Sequence, residues 1–219
     1  MWCIGKITAE YRERMYALCD LYARPYDPQE PVVCLDEKST QLLASSRADL
    51  AAQPGQIAKQ DYEYVRKGTR NLFVAVEPQG GHREVAVTVR RTKADFVHFV
   101  EGLLQTAYAG VHKLHLVLDN LNTHFRGSFE QVLGPAATAT LLERVEFHYT
   151  PKHASWLNMA ELEIGIMDRQ CTGRRLDSAA LLASEVATWQ NRRNGQHRGI
   201  QWKFTRQDAD RKLSRHYVT

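Results

Sequence analysis

Apolar positions along the chain fall into two patterns, and the first is the unbroken run. Val32, Val33, Cys34 and Leu35 stand together and end on Asp36, Glu37 and Lys38. Four consecutive apolar residues show no alternation, so they predict a strand over 32–36 that is buried on both faces. The run "LHLVL" (114–118) closes in the same way, on Asp119. "LFVAVEP" and "EVAVTVRR" flank "QGGH", a strong signal for a hairpin. "VEFHY" (145–149) predicts a further short strand. The polar stretch 47–71, containing Gly and Gln, reads as a loop with at most one short strand.

Helical spacing is the second pattern. Thr8 caps a helix through "AEYRERMYALCDLY", which the three prolines of "RPYDPQEP" stop. Thr92 and Asp95 have capping-box spacing, and Phe96, Phe99, Val100, Leu103 and Leu104 share one face of the helix that follows. Helices are predicted over about 128–143, 156–171 and 178–193, the last burying Leu182, Val186 and Trp189. A short one starts at Thr205. The order is strand, hairpin pair, helix, strand, helix, strand, helix. A three-stranded meander followed by two βα units predicts an α/β fold with a ribonuclease-H-like mixed sheet and helices on both faces. Three regions are expected: an N-terminal helix and linker (1–30), a ribonuclease-H-like core (31–175), and a helical basic segment (176–219) packed on that core.

With 43% hydrophobic and 25% charged residues in 219, the chain is an ordinary globular protein able to bury a proper core. No apolar run approaches the roughly 18 residues of a membrane span, and the start has no signal-peptide layout, so no membrane partner is expected. Cys3, Cys19, Cys34 and Cys171 lack metal-knuckle spacing, which suits a reduced, cytoplasmic setting. The net charge is only +4, but Arg192–Thr219 holds eight Arg or Lys against Asp208 and Asp210. That segment therefore nets +6 and the rest −2, a distribution that suits a polyanionic partner.

Two carboxylates on neighbouring strand ends repel each other unless a cation lies between them, which suggests Mg²⁺ or Mn²⁺ held by oxygen ligands. Two such ions cut phosphodiesters, and a third acid from another element usually completes the site. Glu161 and Glu163 are the candidates, about 200° apart around the 156–171 helix. Glu161 lies at the edge of the apolar face, beside Asn158 and Gly165; Glu163 falls nearer Met159 and Met167. Geometry mildly favours Glu161. Against this, Asn158 and Glu161 have capping-box spacing, an equally good reading, while Asp36 and Asp119 have a lesser reading as turn acids, and all three together fit a site better.

The stretches "DEKSTQLL", "LVLDNLNTH", "HYTPKHASWLNMAELEI" and "IQWKFTRQDADRKL" resemble the DDE endonuclease core of bacterial insertion-sequence transposases related to the mariner superfamily. The resemblance covers nearly the whole chain. It implies two Mg²⁺ (or Mn²⁺) ions held by Asp36, Asp119 and Glu161 as catalytic and metal-binding acids, and DNA strand cleavage and transfer at transposon ends and a target duplex. A homodimer on DNA and a nucleoid-associated location are further implications. Forty-one residues separate Asp119 from Glu161, longer than mariner relatives typically show. Such transposases carry an N-terminal helix-turn-helix region, whereas this chain begins almost at the linker before the core, so either a separately encoded helix-turn-helix protein is its partner or the chain is a truncated copy. Rival readings are another ribonuclease-H-like nuclease, acting on hybrids or branched DNA, and an inactive DNA-binding relic.

Arg192, Arg193, Arg198, Lys203 and Arg206 are the expected DNA contacts. The alternative is that Trp202 and Phe204 pack this segment on the core and its charges are incidental. Trp156 reads as a core tryptophan before a base-stacking one. His112, His115, His124, His148 and His153 invite a zinc reading, but His112 and His115 fall on opposite faces of a strand and make a poor chelate. His124, five residues past Asp119, could orient a metal ligand, touch a phosphate or simply sit in a turn.

Overall fold

The computed structural model describes residues 5–59, 61–121 and 123–218. Five strands form one mixed sheet: β1 (Val32–Ser45), β2 (Tyr64–Glu77), β3 (His82–Thr88), β4 (Leu114–Leu118) and β5 (Val145–Tyr149), in the order β3-β2-β1-β4-β5. β1–β2 and β2–β3 are antiparallel, while β1–β4 and β4–β5 are parallel. This is the expected meander with two crossovers. β1 pairs with β2 along most of its length, but with β4 only over Val32–Cys34. Beyond Cys34 the β4-facing side of β1 has no strand partner, and that gap in the sheet is where a site can open.

Both faces of the sheet are covered. One side packs Val33, Leu35, Leu114, Leu116 and Leu118 against α2 (Lys93–Gln105) and Phe129 of α3 (Arg126–Leu133). The other packs Val32, Cys34 and Val117 against Met15, Leu18 and Tyr22 of α1 (Ala9–Ala23) and against Leu157 and Met159. Further along that side, Leu72 and Val74 meet Leu182, Val186 and Trp189 of α6 (Ala179–Gly195). The predicted caps form. Thr8 Oγ1 accepts from Tyr11 N–H at 3.2 Å, and Thr92 and Asp95 make a reciprocal capping box. α6 also covers the open edge of β3: Gln190 accepts from the Val85 N–H at 2.8 Å, and Asn194 bonds both backbone groups of Arg83 at 2.9 Å. Such an edge would otherwise present free N–H and C=O groups to another chain.

Four boundaries differ from expectation, the first being that β1, expected over 32–36, runs on past Asp36 to Ser45. Residues 64–71 belong to β2 instead of a loop. Tyr64–Thr69 are exposed on a two-stranded ribbon with the far half of β1, so no apolar pattern marks them. The predicted helix 128–143 is two helices, α3 and α4 (Pro135–Leu142), broken at Gly134 with φ 80° and restarted by Pro135; a positive φ and a proline at the first helical position are local commands that override periodicity. The predicted helix 156–171 is a 3₁₀ turn (Ser155–Leu157), then α5 (Ala160–Met167), then a π-helical turn (Asp168–Thr172). The basic segment ends in α7 (Arg206–Leu213), whose Thr205–Asp208 capping box fixes its start. Ile200, Trp202 and Phe204 pack it onto the α1 side of the core, as the alternative reading of that segment anticipated. Cys19, Cys34 and Cys171 are buried free thiols; Cys3 lies outside the described residues.

Candidate active site

Strand register brings the first two acids together. Cys34 of β1 is level with Val117 of β4, and Asp36 and Asp119 each lie two residues further on. Side chains alternate along strands, so Asp36 takes the face of Cys34, and the charge of Asp119 reaches its carboxyl. β4 ends at Leu118, and Asp119 emerges from its C-terminal end. The third acid comes from α5. Buried Asn158 donates through Nδ2 to the Leu35 carbonyl at 2.8 Å and accepts from the Ala160 N–H at 3.1 Å. It thus ties the start of α5 to the residue preceding Asp36. The capping-box reading of Glu161 is not realised, because the Asn158 N–H bonds to the Ser155 carbonyl at 2.7 Å and α5 has no side-chain cap.

The electrostatics agree with this convergence. Burial pushes the Asp36 carboxyl up to about 7, and the charges of Glu161, Asp119 and Glu37 push in the same direction; the Glu37 N–H, 2.7 Å from Oδ1, opposes them. Asp119 Oδ1 is buried and has no aligned hydrogen-bond partner. The buried His124 ring comes nearest, its Nδ1 lying 2.8 Å from Oδ1, but that N–H is directed at the Asp119 carbonyl, 3.2 Å away. Its Nε2 meets Glu37 Oε1 at 2.8 Å. Burial alone would lower the His124 pKa, yet bonds to Asp119 and Glu37 raise it to about 9. Among the described residues no Lys or Arg forms an ion pair with Asp36, Asp119 or Glu161. Three oxygen donors with no guanidinium or ammonium paired to them, and only the His124 ring beside Asp119, fit a hard divalent cation.

Glu163 has the opposite surroundings. Fully buried, it accepts from Arg83 Nε at 2.9 Å and Nη2 at 3.3 Å, and from Arg193 Nε at 3.2 Å and Nη2 at 3.3 Å. Two guanidinium groups neutralise it, so it holds α5, β3 and α6 together. This corrects one expectation: Arg193, grouped with the DNA contacts, points into the core. The other four behave as a surface set. Arg192, Arg198, Lys203 and Arg206 are exposed, with Arg206 paired to Asp20. Trp156 is likewise no core residue. It is 43% exposed and stacks at 6.5 Å on Trp202. Together with Lys6, Lys152, His153 and Lys212 it lines a cavity of about 680 Å³ that reaches Glu161. The sequence reading overlooked Lys6 and Lys152, because nothing local marks a cavity wall assembled from both ends of the chain.

A five-stranded sheet of this order, with helices on both faces, places the chain among ribonuclease-H-like α/β proteins. The model of the DDE superfamily endonuclease family matches residues 31–182, and the chain belongs to that family. Its fold is similar to that of Mos1 mariner transposase. In a Mos1 paired-end complex with Mn the match has TM-score 0.56 at 16% identity, covering 90% of this chain and 61% of that one. In a pre-cleavage Mos1 transpososome the values are 0.55 and 15%, covering 100% and 68%, and in a paired-end complex with Mg they are 0.54 and 16%, covering 100% and 66%. The chain thus spans about three fifths of the Mos1 chain in the first of these. No curated protein sequence matches it. No helix among the described residues is long and apolar enough to cross a membrane.

Proposed function

We propose that this chain is the catalytic domain of a transposase, cutting DNA strands and joining them to a target, with Asp36, Asp119 and Glu161 as its metal-binding acids. The observation that carries the reading is their convergence: two acids each two residues past the last paired position of β1 and β4, and a third on a helix tied to Leu35 by Asn158, with the charges of Glu161 and Asp119 acting on Asp36. Two Mg²⁺ ions bound there would activate a water or a 3′-hydroxyl and stabilise the leaving oxygen of a phosphodiester. The chain's own part is positioning. The sheet holds Asp36 rigidly, the Glu37–His124 pair braces the Asp119 turn, and Glu163 anchors the helix carrying Glu161. The exposed Arg192, Arg198 and Lys203, with Arg206 if it leaves Asp20, would hold DNA phosphates, and Lys6, Lys152 and Lys212 line the cavity that reaches Glu161. Phosphate contacts of this kind supply affinity without reading sequence. The Mos1 structures are of a transposase with transposon ends and in a strand-transfer complex, which supports the same substrate class here.

The discriminating experiment offers a labelled duplex with a free 3′-hydroxyl and an unlabelled target with Mg²⁺. Joined products are expected from the wild type and none from Asp119→Asn. Nicking of hybrids or branched DNA without any joining would instead assign the chain to another class of ribonuclease-H-like nuclease.

A further inference from the structure

β5 is the outer strand of the sheet, and its parallel pairing with β4 sets His115 opposite Glu146 and Val117 opposite His148. His115, Glu146 and His148 therefore share the sheet face that packs on α1, at the end of β4 remote from Asp119. Four residues along β4 separate His115 from Asp119, or roughly 13 Å. Three donor groups meet here. His115 Nδ1 lies 3.0 Å from His148 Nε2 and 3.7 Å from Glu146 Oε2, and His148 Nε2 lies 3.6 Å from Glu146 Oε1. A tetrahedral zinc ion, with bonds of about 2.0–2.2 Å, needs adjacent donors about 3.4 Å apart. The histidine–histidine edge is slightly shorter than that length, the two edges to Glu146 end on its two different oxygens, and one ligand atom from each of the three residues lies within 4.8 Å of the others.

We propose that His115, His148 and Glu146 bind one divalent transition ion of the zinc type, with a fourth position open to water, at a site distinct from the acidic centre. Two imidazoles and a carboxylate select zinc and its transition-metal neighbours over Mg²⁺, which prefers oxygen alone.

The surroundings supply the support that a ligating histidine needs. His115 Nε2 lies 3.1 Å from Arg24 Nη1 and 3.7 Å from Glu30 Oε2, and Glu30 is itself held by Arg24 at 3.2 Å and by His112 at 3.2 Å. A guanidinium only donates, so without metal Nε2 accepts from Arg24 and the His115 proton sits on Nδ1, bonded to His148. Ligation at Nδ1 moves that proton to Nε2, where Glu30 accepts it as Arg24 gives way. The result is a carboxylate–histidine–metal arrangement, the usual way such ligands are oriented. The proton stays on the ring, and none is released. A bound ion would cross-link the outer strand to β4.

The test uses the metal-stripped full chain, titrated with Co²⁺ in excess Mg²⁺. Tetrahedral Co²⁺ with nitrogen ligands absorbs strongly in the visible, whereas Co²⁺ among six oxygens absorbs weakly. One equivalent is expected to saturate a strong band that Zn²⁺ abolishes and that Asp119→Asn leaves unchanged. Glu30→Gln should weaken binding about 10–100-fold, and His148→Gln or Glu146→Gln by more than that. Glu146 is largely exposed, so its replacement leaves the fold intact. No strong band in folded wild type, or a band that survives both His148→Gln and Glu146→Gln, would overturn the proposal and leave a hydrogen-bonded histidine pair.

Discussion

Asp36 sets the most quantitative expectation. Its carboxyl is pushed from the usual value of 3.8 up to about 7, chiefly by burial and then by Glu161, Asp119 and Glu37. A carboxyl whose folded pKa is raised destabilises the metal-free fold once pH exceeds the unfolded value, because folding then requires either uptake of a proton or burial of a charge. The penalty is absent below about pH 4, grows from there to about 7, and is constant above. At about 1.4 kcal/mol per pH unit the full displacement corresponds to about 4 kcal/mol; solvent reaching the half-buried carboxyl lowers the expectation to about 2–4 kcal/mol. Asp36→Asn removes the charge while keeping an oxygen to accept the Glu37 N–H. In EDTA, urea unfolding should show the variant more stable than wild type by that amount at pH 8, with the difference vanishing near pH 4. A variant equal to or less stable than wild type at pH 8, or a difference independent of pH, would refute the reasoning and show that the Asp36 carboxyl is not held desolvated in the fold.

The remaining expectations are more local. His124, raised to about 9, contributes stability that is complete below its ordinary 6.5 and lost as pH rises through 9; His124→Gln should abolish that loss in a pH series of thermal melts. Glu163→Gln strands Arg83 and Arg193 in the core and should cost about 3–5 kcal/mol of stability by chemical denaturation, whereas Glu161→Gln should stay within about 1 kcal/mol of wild type. Changing Arg192, Arg198 and Lys203 together to Gln should lower the salt slope of DNA binding by about three; an unchanged slope in the folded variant would remove them from the interface.

The parts of this molecule visible in the sequence are those set by neighbours in the chain. The buried start of β1, the whole of β4, the hairpin at "QGGH" and the Thr92 capping box rest on local pattern and are present, although β1 runs on past Asp36 to Ser45. The polar half of β2 was invisible because exposed ribbon residues carry no hydrophobic signal. Long-range partners were invisible for a different reason. Glu163 and Arg193 lie 30 residues apart and Arg83 a further 80 from Glu163, so nothing nearby reveals that Arg193 faces inward. The same holds for His115 and His148. Strand alternation correctly separates His112 from His115, but only the β4–β5 register supplies the actual neighbour.

The central claim, that Asp36, Asp119 and Glu161 act as one metal site, is tested most directly by Mg²⁺-dependent nicking of a labelled duplex. Wild type should be compared with Asp36→Asn, Asp119→Asn and Glu161→Gln, each confirmed to be folded. The account predicts nicking by wild type that EDTA abolishes and Mn²⁺ restores, and no nicking above background by any of the three variants. Substantial cleavage by Asp119→Asn, or full activity of Glu161→Gln, would contradict it.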